Sequence, residues 1–253
     1  MMSDAAHSII DLFSTTIAII GIKIAGKKPD KEHPYGHERF EPVATIILSA
    51  LVFATGILIG WAGFIRIFTG DYGEIIAFGL LALSAAVISI ILKETLYWYV
   101  RAAAKKIDSS ALLADAWHGR LDGLSSIGSF IGILGALLGF PMLDSIAAII
   151  ICLFILRAAI TIFMDAIGKL TDQSCDDTIM EEMRKIILAQ KSVEGIDELR
   201  TRLFGNRIYV DVEILVASSH SLIEAHDIAQ NVHDTVEEHF PKVKHCMVHV
   251  NPI

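Results

Sequence analysis

Five long apolar segments limit what this chain can fold into more than any other feature of its sequence. A helix needs about 20 apolar residues to cross the hydrocarbon core of a bilayer. Hydrophobic residues make up 53% of the chain, which exceeds the roughly 45–50% of a typical soluble domain. The sequence therefore predicts an α-helical transmembrane bundle, with spans at residues 9–24, 43–68, 75–100, 112–140 and 143–167.

The apolar content falls near Thr171, and the rest of the chain has the mixed charge of a soluble domain. We predict a transmembrane domain over residues 1–170 and a small α+β domain over residues 171–253. Alternation of apolar and polar residues at 208–214 indicates a strand with one buried face. The expected order is αββαβ, with helices at 177–190 and 222–240 and strands at 195–203, 207–216 and 244–250.

Lysine and arginine residues are concentrated in two of the connections between spans. Short loops that carry such charges stay in the cytoplasm under the positive-inside rule. The predicted cytoplasmic loops are those with Lys27, Lys28 and Lys31 and with Arg101, Lys105 and Lys106. The C-terminal domain is then cytoplasmic and the N-terminus lies outside. The first span begins only a few residues from that terminus, and its first residues include ionisable groups. We therefore expect a further span upstream, so that the sequence contains five of six spans.

Net charge and cysteine usage narrow the possible partners. The formal net charge is -8, and the lack of a basic stripe argues against nucleic acid as a ligand, whereas acidic and histidine side chains favour cations. Cys152, Cys175 and Cys246 form no C-x-x-C pair. We therefore expect inert or buried thiols in place of a disulfide framework or a thiolate zinc site.

The same polar pattern, D-x-x-H-x-x-x-D, occurs inside the first and the fourth apolar segments. Its spacing places three ionisable groups on one face of a helix. A charge in hydrocarbon costs about 2.5 to 3.5 kcal/mol even on insertion scales, so such groups usually face a cavity or an ion. The two copies consist of Asp4, His7 and Asp11 and of Asp115, His118 and Asp122.

Two imidazole nitrogens and two carboxylate oxygens from facing helices can form a tetrahedral shell around zinc. The predicted transport ligands are His7, Asp11, His118 and Asp122. Asp4 and Asp115 lie one turn before each pair, where they could orient the histidines by hydrogen bonds or conduct ions. The alternative is that these groups only hold helices together as polar packing residues.

Two further groups of candidate ligands lie outside the spans. In the first cytoplasmic loop, Asp30, His33 and His37 could bind a second ion, or they could simply be solvated polar residues. Six histidines follow residue 219, of which His226 and His249 are the preferred metal candidates. His233 and His239 are expected on the solvated face of a helix.

In combination, these features resemble the cation diffusion facilitator family over residues 3–252. The residues that carry the likeness are S-D-A-A-H-S-I-I-D at 3–11, H-P-Y-G-H-E-R-F-E at 33–41, the polar motif at 115–122 and E-A-H at 224–226. The resemblance implies six spans, a ferredoxin-like or metallochaperone-like cytoplasmic αββαβ domain, a homodimer, and exchange of divalent metal for protons. It also implies that Arg39 pairs with Asp172 to lock the dimer near the membrane surface.

The likeness is less complete in the C-terminal domain. Positions where relatives often carry histidine ligands hold Asp197 and Glu213, and Asn251 stands in place of an aspartate. His249 stays the first candidate ligand there, followed by His226, Asp197 and Glu213.

The expected function is efflux of a divalent metal, with zinc the first choice, by proton-coupled antiport across the cell membrane. Cobalt, iron, cadmium and manganese remain open as cargo. The alternative within the family is a non-transporting metal-binding or sensor subunit. An intramembrane metal-dependent hydrolase is disfavoured, because the sequence has no H-E-x-x-H motif; we expect no enzyme activity.

Overall fold

The computed structural model describes residues 2–70, 79–137, 140 and 142–253. Side chains of α1 are described from Leu12 onward, and several in α3 to α5, Asp122 among them, lie outside the described residues. The chain forms two compact units, Met1–Ile167 and Gly168–Ile253.

The first unit consists of long helices at each of the five predicted apolar segments. They are α1 (Met2–Ala25), α2 (Phe40–Thr69), α3 (Gly79–Ile107), α4 (Ser110–Leu137) and α5 (Met142–Leu170). Helix α2 ends at Gly70, whose left-handed backbone (φ 66°) lets its N–H donate to the Arg66 carbonyl at 3.1 Å.

Small residues allow these helices to approach closely. A side chain at Gly21 of α1 would collide with Ala44 of α2, and one at Gly60 of α2 would collide with Cys152 of α5. Close backbone approach of this kind is typical of helix pairs in membranes. The inward-facing residues of one cluster, from four helices, are Ala18, Ala44, Leu48, Ala111, Ala114 and Ile162.

Among the described residues, two helical stretches are long and apolar enough to cross a bilayer by length and composition: Phe40–Thr69 and Ser145–Leu170. Leu12–Ala25 is a shorter apolar helix. Large side chains such as Trp61, Phe68 and Phe154 are more than half exposed on the outside of the unit. An apolar exterior of this kind fits a lipid environment, while five as the number of spans stays a prediction.

The connection between α3 and α4 is shorter than the predicted loop that contains Arg101, Lys105 and Lys106. Helix α3 continues to Ile107, so that Arg101, Lys105 and Lys106 lie on its last turns and only Asp108 and Ser109 separate the helices. The prediction that these three basic residues lie in a loop is therefore wrong, because they lie on a helix. Basic residues at a helix C-terminus interact favourably with the exposed carbonyl groups there, which lets the helix extend past its apolar part.

The second unit confirms the predicted α+β fold and its order. Its elements are α6 (Asp177–Leu188), β1 (Gly195–Phe204), β2 (Arg207–Val216), α7 (Leu222–His239) and β3 (Val243–Pro252). The central strand β2 pairs antiparallel with β1 and parallel with β3. Because β3 is parallel to β2, it needs the α7 crossover to reach its place at the edge of the sheet.

The core of this unit lies between one face of the sheet and the two helices. Ile208, Val210, Val212, Ile214 and Val216 alternate along β2 and are all buried. They pack with apolar residues of the helices, including Met183, Ile187, Val232 and Val236. The period-2 pattern in the sequence is thus explained by one buried sheet face.

Helix α7 begins with a capping box. The Glu224 N–H donates to Ser221 Oγ at 3.3 Å, and the Ser221 N–H donates to Glu224 Oε2 at 2.7 Å. The hydrogen bond from the Ser221 backbone N–H holds the pKa of the Glu224 carboxyl below its usual value.

We predict that Ser221→Ala destabilises α7 by about 1 kcal/mol, because the first turn loses the hydroxyl that accepts from its backbone. Hydrogen exchange of peptides covering residues 221–232 in the purified chain should become faster. Ser219→Ala, at an exposed position before the cap, is the matched control and should leave exchange unchanged. Equal protection in both variants would contradict the role of the box.

Candidate metal centres

Helices α1 and α4 are joined by hydrogen bonds to a carboxylate from the second polar motif. Ser14 Oγ and Thr15 Oγ1 each donate to Asp115 Oδ1 at 3.2 Å. Ser14 is buried and Asp115 is half-buried. Asp115 therefore contacts α1 through two hydroxyl groups, and its predicted role beside the metal stays a prediction.

His118 itself is 5% exposed. A pocket of about 290 Å³ adjoins it, lined among others by Ser14, Thr15, Lys93, Tyr97 and Asp115. The side chains of Asp4, His7, Asp11 and Asp122 lie outside the described residues, although α1 and α4 contain all four positions. The tetrahedral site therefore stays a prediction, and His118 is the one of its four ligands whose side chain is described.

A set of charged residues between α3 and α4 escaped the sequence reasoning. Arg120 Nε donates to Glu94 Oε1 at 3.1 Å, and its guanidinium lies 4.2 Å from the Tyr97 ring centre and 5.1 Å from that of Trp117. The signal was present, since Glu94 interrupts an apolar segment and Arg120 lies within the polar motif. A charged side chain in a span requires a partner of opposite charge. Arg120 and Glu94 are partners of this kind for each other.

Lys93 is a second cation in this region. Its ammonium group donates to Ser126 Oγ at 3.4 Å across the same helix pair. Because Lys93 also lines the pocket beside His118, its positive charge would oppose a metal ion there unless carboxylates offset it.

The loop between α1 and α2 folds around Asp30. Its Oδ1 accepts from the backbone N–H groups of Glu32 at 3.0 Å and His33 at 2.7 Å. The hydrogen bond from His33, together with that from Glu32 and the nearby imidazoles, lowers the pKa of the Asp30 carboxyl. The ionised carboxylate therefore stabilises the loop above the usual aspartate pKa, and this contribution is lost as pH falls through the lowered folded value.

The structure brings the three predicted loop ligands together. Asp30 Oδ1 lies 3.5 Å from His33 Nδ1, and Asp30 Oδ2 lies 3.4 Å from His37 Nε2. With bonds of about 2.0–2.1 Å, ligand atoms of a tetrahedral zinc are about 3.4 Å apart. The spacing thus fits one ion with a coordination position left for water or a fourth ligand.

In the C-terminal unit, Asn251 meets two of the candidate metal ligands, Asp197 and Glu213, across the sheet. The Asn251 amide donates to Asp197 Oδ2 at 3.2 Å and to Glu213 Oε2 at 3.0 Å. His249 is opposite Glu213 in the β2–β3 register, and Asp197 lies at a bulge in β1. His226 is exposed near the start of α7. The Asn251 amide therefore bridges two carboxylates at the position where the family resemblance implies an aspartate.

The expectation that His233 lies on a solvated helix face is wrong. The side chain is half-buried, and its Nδ1 lies 2.6 Å from the Cys246 carbonyl oxygen of β3. His233 faces the sheet because α7 crosses the edge strand at this point, a contact that the helical pattern alone does not specify. His239, on the last turn, is exposed as expected.

Arg39 immediately precedes α2, and Asp172 lies in a turn with a positive φ of 57° after α5. The two residues belong to the two separate compact units. Their pairing across a dimer stays a prediction.

Comparison with known families identifies the chain. The cation efflux transmembrane domain matches residues 1–171, and the cytoplasmic domain of cation efflux proteins matches residues 175–253. Together they define a membrane protein of the metal-efflux class with a cytoplasmic C-terminal domain. The chain belongs to the cation diffusion facilitator family, which confirms the resemblance in its motifs.

Relatives from a plant and from a bacterium align along the whole chain. Metal tolerance protein C1 of Arabidopsis thaliana is 32% identical over 100% of this chain, which spans 56% of that protein. The manganese efflux system protein MneS of Bacillus subtilis is 31% identical over 100% of this chain and 86% of its own length. A solved MamM CTD in a cadmium form is 19% identical, with a TM-score of 0.30, over 30% of this chain and 96% of that one.

We predict that Asp30→Asn removes one metal-binding event per chain in calorimetric titrations with zinc. The amide oxygen of asparagine can still accept the two backbone hydrogen bonds, so the loop stays folded, but the negative charge and the second oxygen ligand are lost. Glu32→Gln changes the charge of the same loop by the same amount at an exposed residue outside the cluster and should bind like the parent chain. An unchanged titration of Asp30→Asn would reject the loop site.

Proposed function

We propose that this chain moves a divalent transition metal, with zinc as the first choice, out of the cytoplasm in exchange for protons. The observation that carries the proposal is the buried His118 beside a pocket and one turn from Asp115, which is hydrogen-bonded to α1. In this proposal the D-x-x-H-x-x-x-D motif on α1 would supply His7 and Asp11, and Asp122 would complete the set on α4.

The choice of zinc rests on ligand chemistry. Imidazole nitrogens favour zinc and cobalt, whereas sites of oxygen ligands alone favour manganese and magnesium. One relative is named for manganese efflux, and manganese is accordingly the first competitor as cargo. A metal assay that compares both ions on the same preparation separates the two.

Proton exchange follows from the same ligands. Metal binds the neutral form of histidine and the ionised form of aspartate, so that protons compete with it for every position. A site loaded from the cytoplasm releases its ion when the bundle opens outward and protons take the ligands. The protonated site then returns inward, which is antiport by alternating access.

The rest of the molecule has supporting roles in this proposal. The loop cluster at Asp30, His33 and His37 lies in a segment assigned to the cytoplasmic side by its lysines, where it would hold an ion at the membrane surface. The protein would be a multi-pass cell-membrane protein, and the C-terminal unit would join two copies as a homodimer, with Arg39 and Asp172 as the locking pair.

A non-transporting sensor is the second candidate. It is favoured by the loop cluster and by a further group of possible ligands in the C-terminal unit, because both can bind metal without a transport step. Zinc binding without flux from the purified chain would support this function.

We predict that His118→Ala abolishes zinc entry into proteoliposomes under an imposed pH gradient, with at least about a tenfold loss, because the transport site loses one of its four ligands. A zinc-sensitive dye inside the vesicles measures the rate. His239→Ala removes an exposed histidine of the C-terminal unit and should transport at the parent rate. Undiminished flux from His118→Ala would refute the site.

A further inference from the structure

We propose that His233 and Glu237 of α7, together with His245 of β3, form a separate metal site that takes a borderline divalent ion such as Zn²⁺ or Co²⁺. The site lies at the edge of the sheet formed by β3, on residues distinct from Asp197, Glu213 and His249. It does not depend on the transport proposal, since all three ligands belong to the C-terminal unit.

The candidate ligand atoms converge around one carboxylate. His233 Nε2 lies 3.3 Å from Glu237 Oε1, and His245 Nδ1 lies 4.0 Å from the same oxygen. The two imidazole rings are 5.9 Å apart, centre to centre. Ligands of a tetrahedral ion are about 3.4 Å apart, so the first pair has the required separation and a small rotation of His245 closes the second.

The orientation of His233 is fixed by the backbone. Its Nδ1 lies 2.6 Å from the Cys246 carbonyl oxygen, which can only accept a hydrogen bond. The proton of a neutral ring is therefore on Nδ1, and the Nε2 lone pair is directed at the Glu237 side. Metal-binding histidines commonly donate their other ring N–H to a carbonyl in this way, which fixes the tautomer.

Glu237 is held by the same residue of β3. Its Oε1 accepts from the Cys246 N–H at 3.2 Å. Both backbone groups of Cys246 therefore point off the open side of β3, where α7 side chains bind them in place of another strand. Two of the three ligands are thus ordered before any ion arrives, which lowers the entropic cost of binding.

The Cys246 thiol is not a fourth ligand. It is buried on the core face of the sheet, and burial, with the nearby charges of Glu237 and Asp211, raises its pKa to about 12. A thiol binds metal as the thiolate, a form that this environment disfavours. The ion would have two nitrogens and one carboxylate from the protein, with the remaining position open to water.

A simpler interpretation is that His233 and Glu237 only cover the polar edge of β3, as edge strands commonly require. That role accounts for their hydrogen bonds to Cys246, but it does not need His245, which is half-exposed and turned toward the same carboxylate. If the residues form a metal site, removal of His245 lowers the number of bound ions by one. If they only cover the strand edge, that number is unchanged.

The test is equilibrium dialysis of the purified full chain against low micromolar Co²⁺, with bound metal counted per chain. His245→Ala removes an exposed ligand with little structural consequence. His233→Asn keeps an amide N–H to donate to the Cys246 carbonyl but has no counterpart of Nε2. Each variant should bind one ion fewer than the parent chain. His239→Ala, which removes an exposed histidine of α7, should bind as many ions as the parent chain.

A full count of ions in either His245→Ala or His233→Asn would overturn the site. An equal loss in His239→Ala would also overturn it, because it would mean that Co²⁺ binds exposed histidines in general. The outcome is independent of transport, since binding at this site is counted whether or not the chain moves zinc across a membrane.

Discussion

The hydrogen bonds from Ser14 and Thr15 to Asp115 connect α1 and α4, the two helices that carry the D-x-x-H-x-x-x-D motif. In water such contacts would contribute little, but between spans a carboxylate without partners is costly, so the polar faces of α1 and α4 must meet. His118, one turn after Asp115, lies beside a pocket that Ser14 and Thr15 of α1 also line. Elsewhere in the bundle small residues permit close approach, as where Gly21 of α1 meets Ala44 of α2.

The same principle organises the charges beside this contact. Arg120 is paired with Glu94 and lies over two aromatic rings, which gives a cation in the bundle both an opposite charge and a polarisable surface. The pair ties α3 to α4. Loss of either partner would leave a charge without compensation, and such losses inside proteins are strongly destabilising.

The sequence allowed the main elements to be predicted because their patterns are local. Long apolar segments became helices, alternation at 208–214 became β2, and the spacing of Asp30, His33 and His37 brought their ligand atoms together within one short loop. The contacts that sequence reasoning missed are those that depend on chain crossings. His233 faces Cys246 only because β3 returns parallel to β2 at the sheet edge, and Arg120 meets Glu94 only because α3 and α4 pack antiparallel after a two-residue turn. The amide of Asn251 between Asp197 and Glu213 likewise depends on strand register.

The claim on which the account depends is that α1 and α4 share one metal ion. Anomalous diffraction at the zinc edge, from crystals of the zinc-loaded chain, locates bound zinc without reference to transport. The account predicts a peak between the two helices, about 2.0–2.1 Å from a ring nitrogen of His118. Peaks in the loop or the C-terminal unit with none at His118, from crystals grown at saturating zinc, would contradict it.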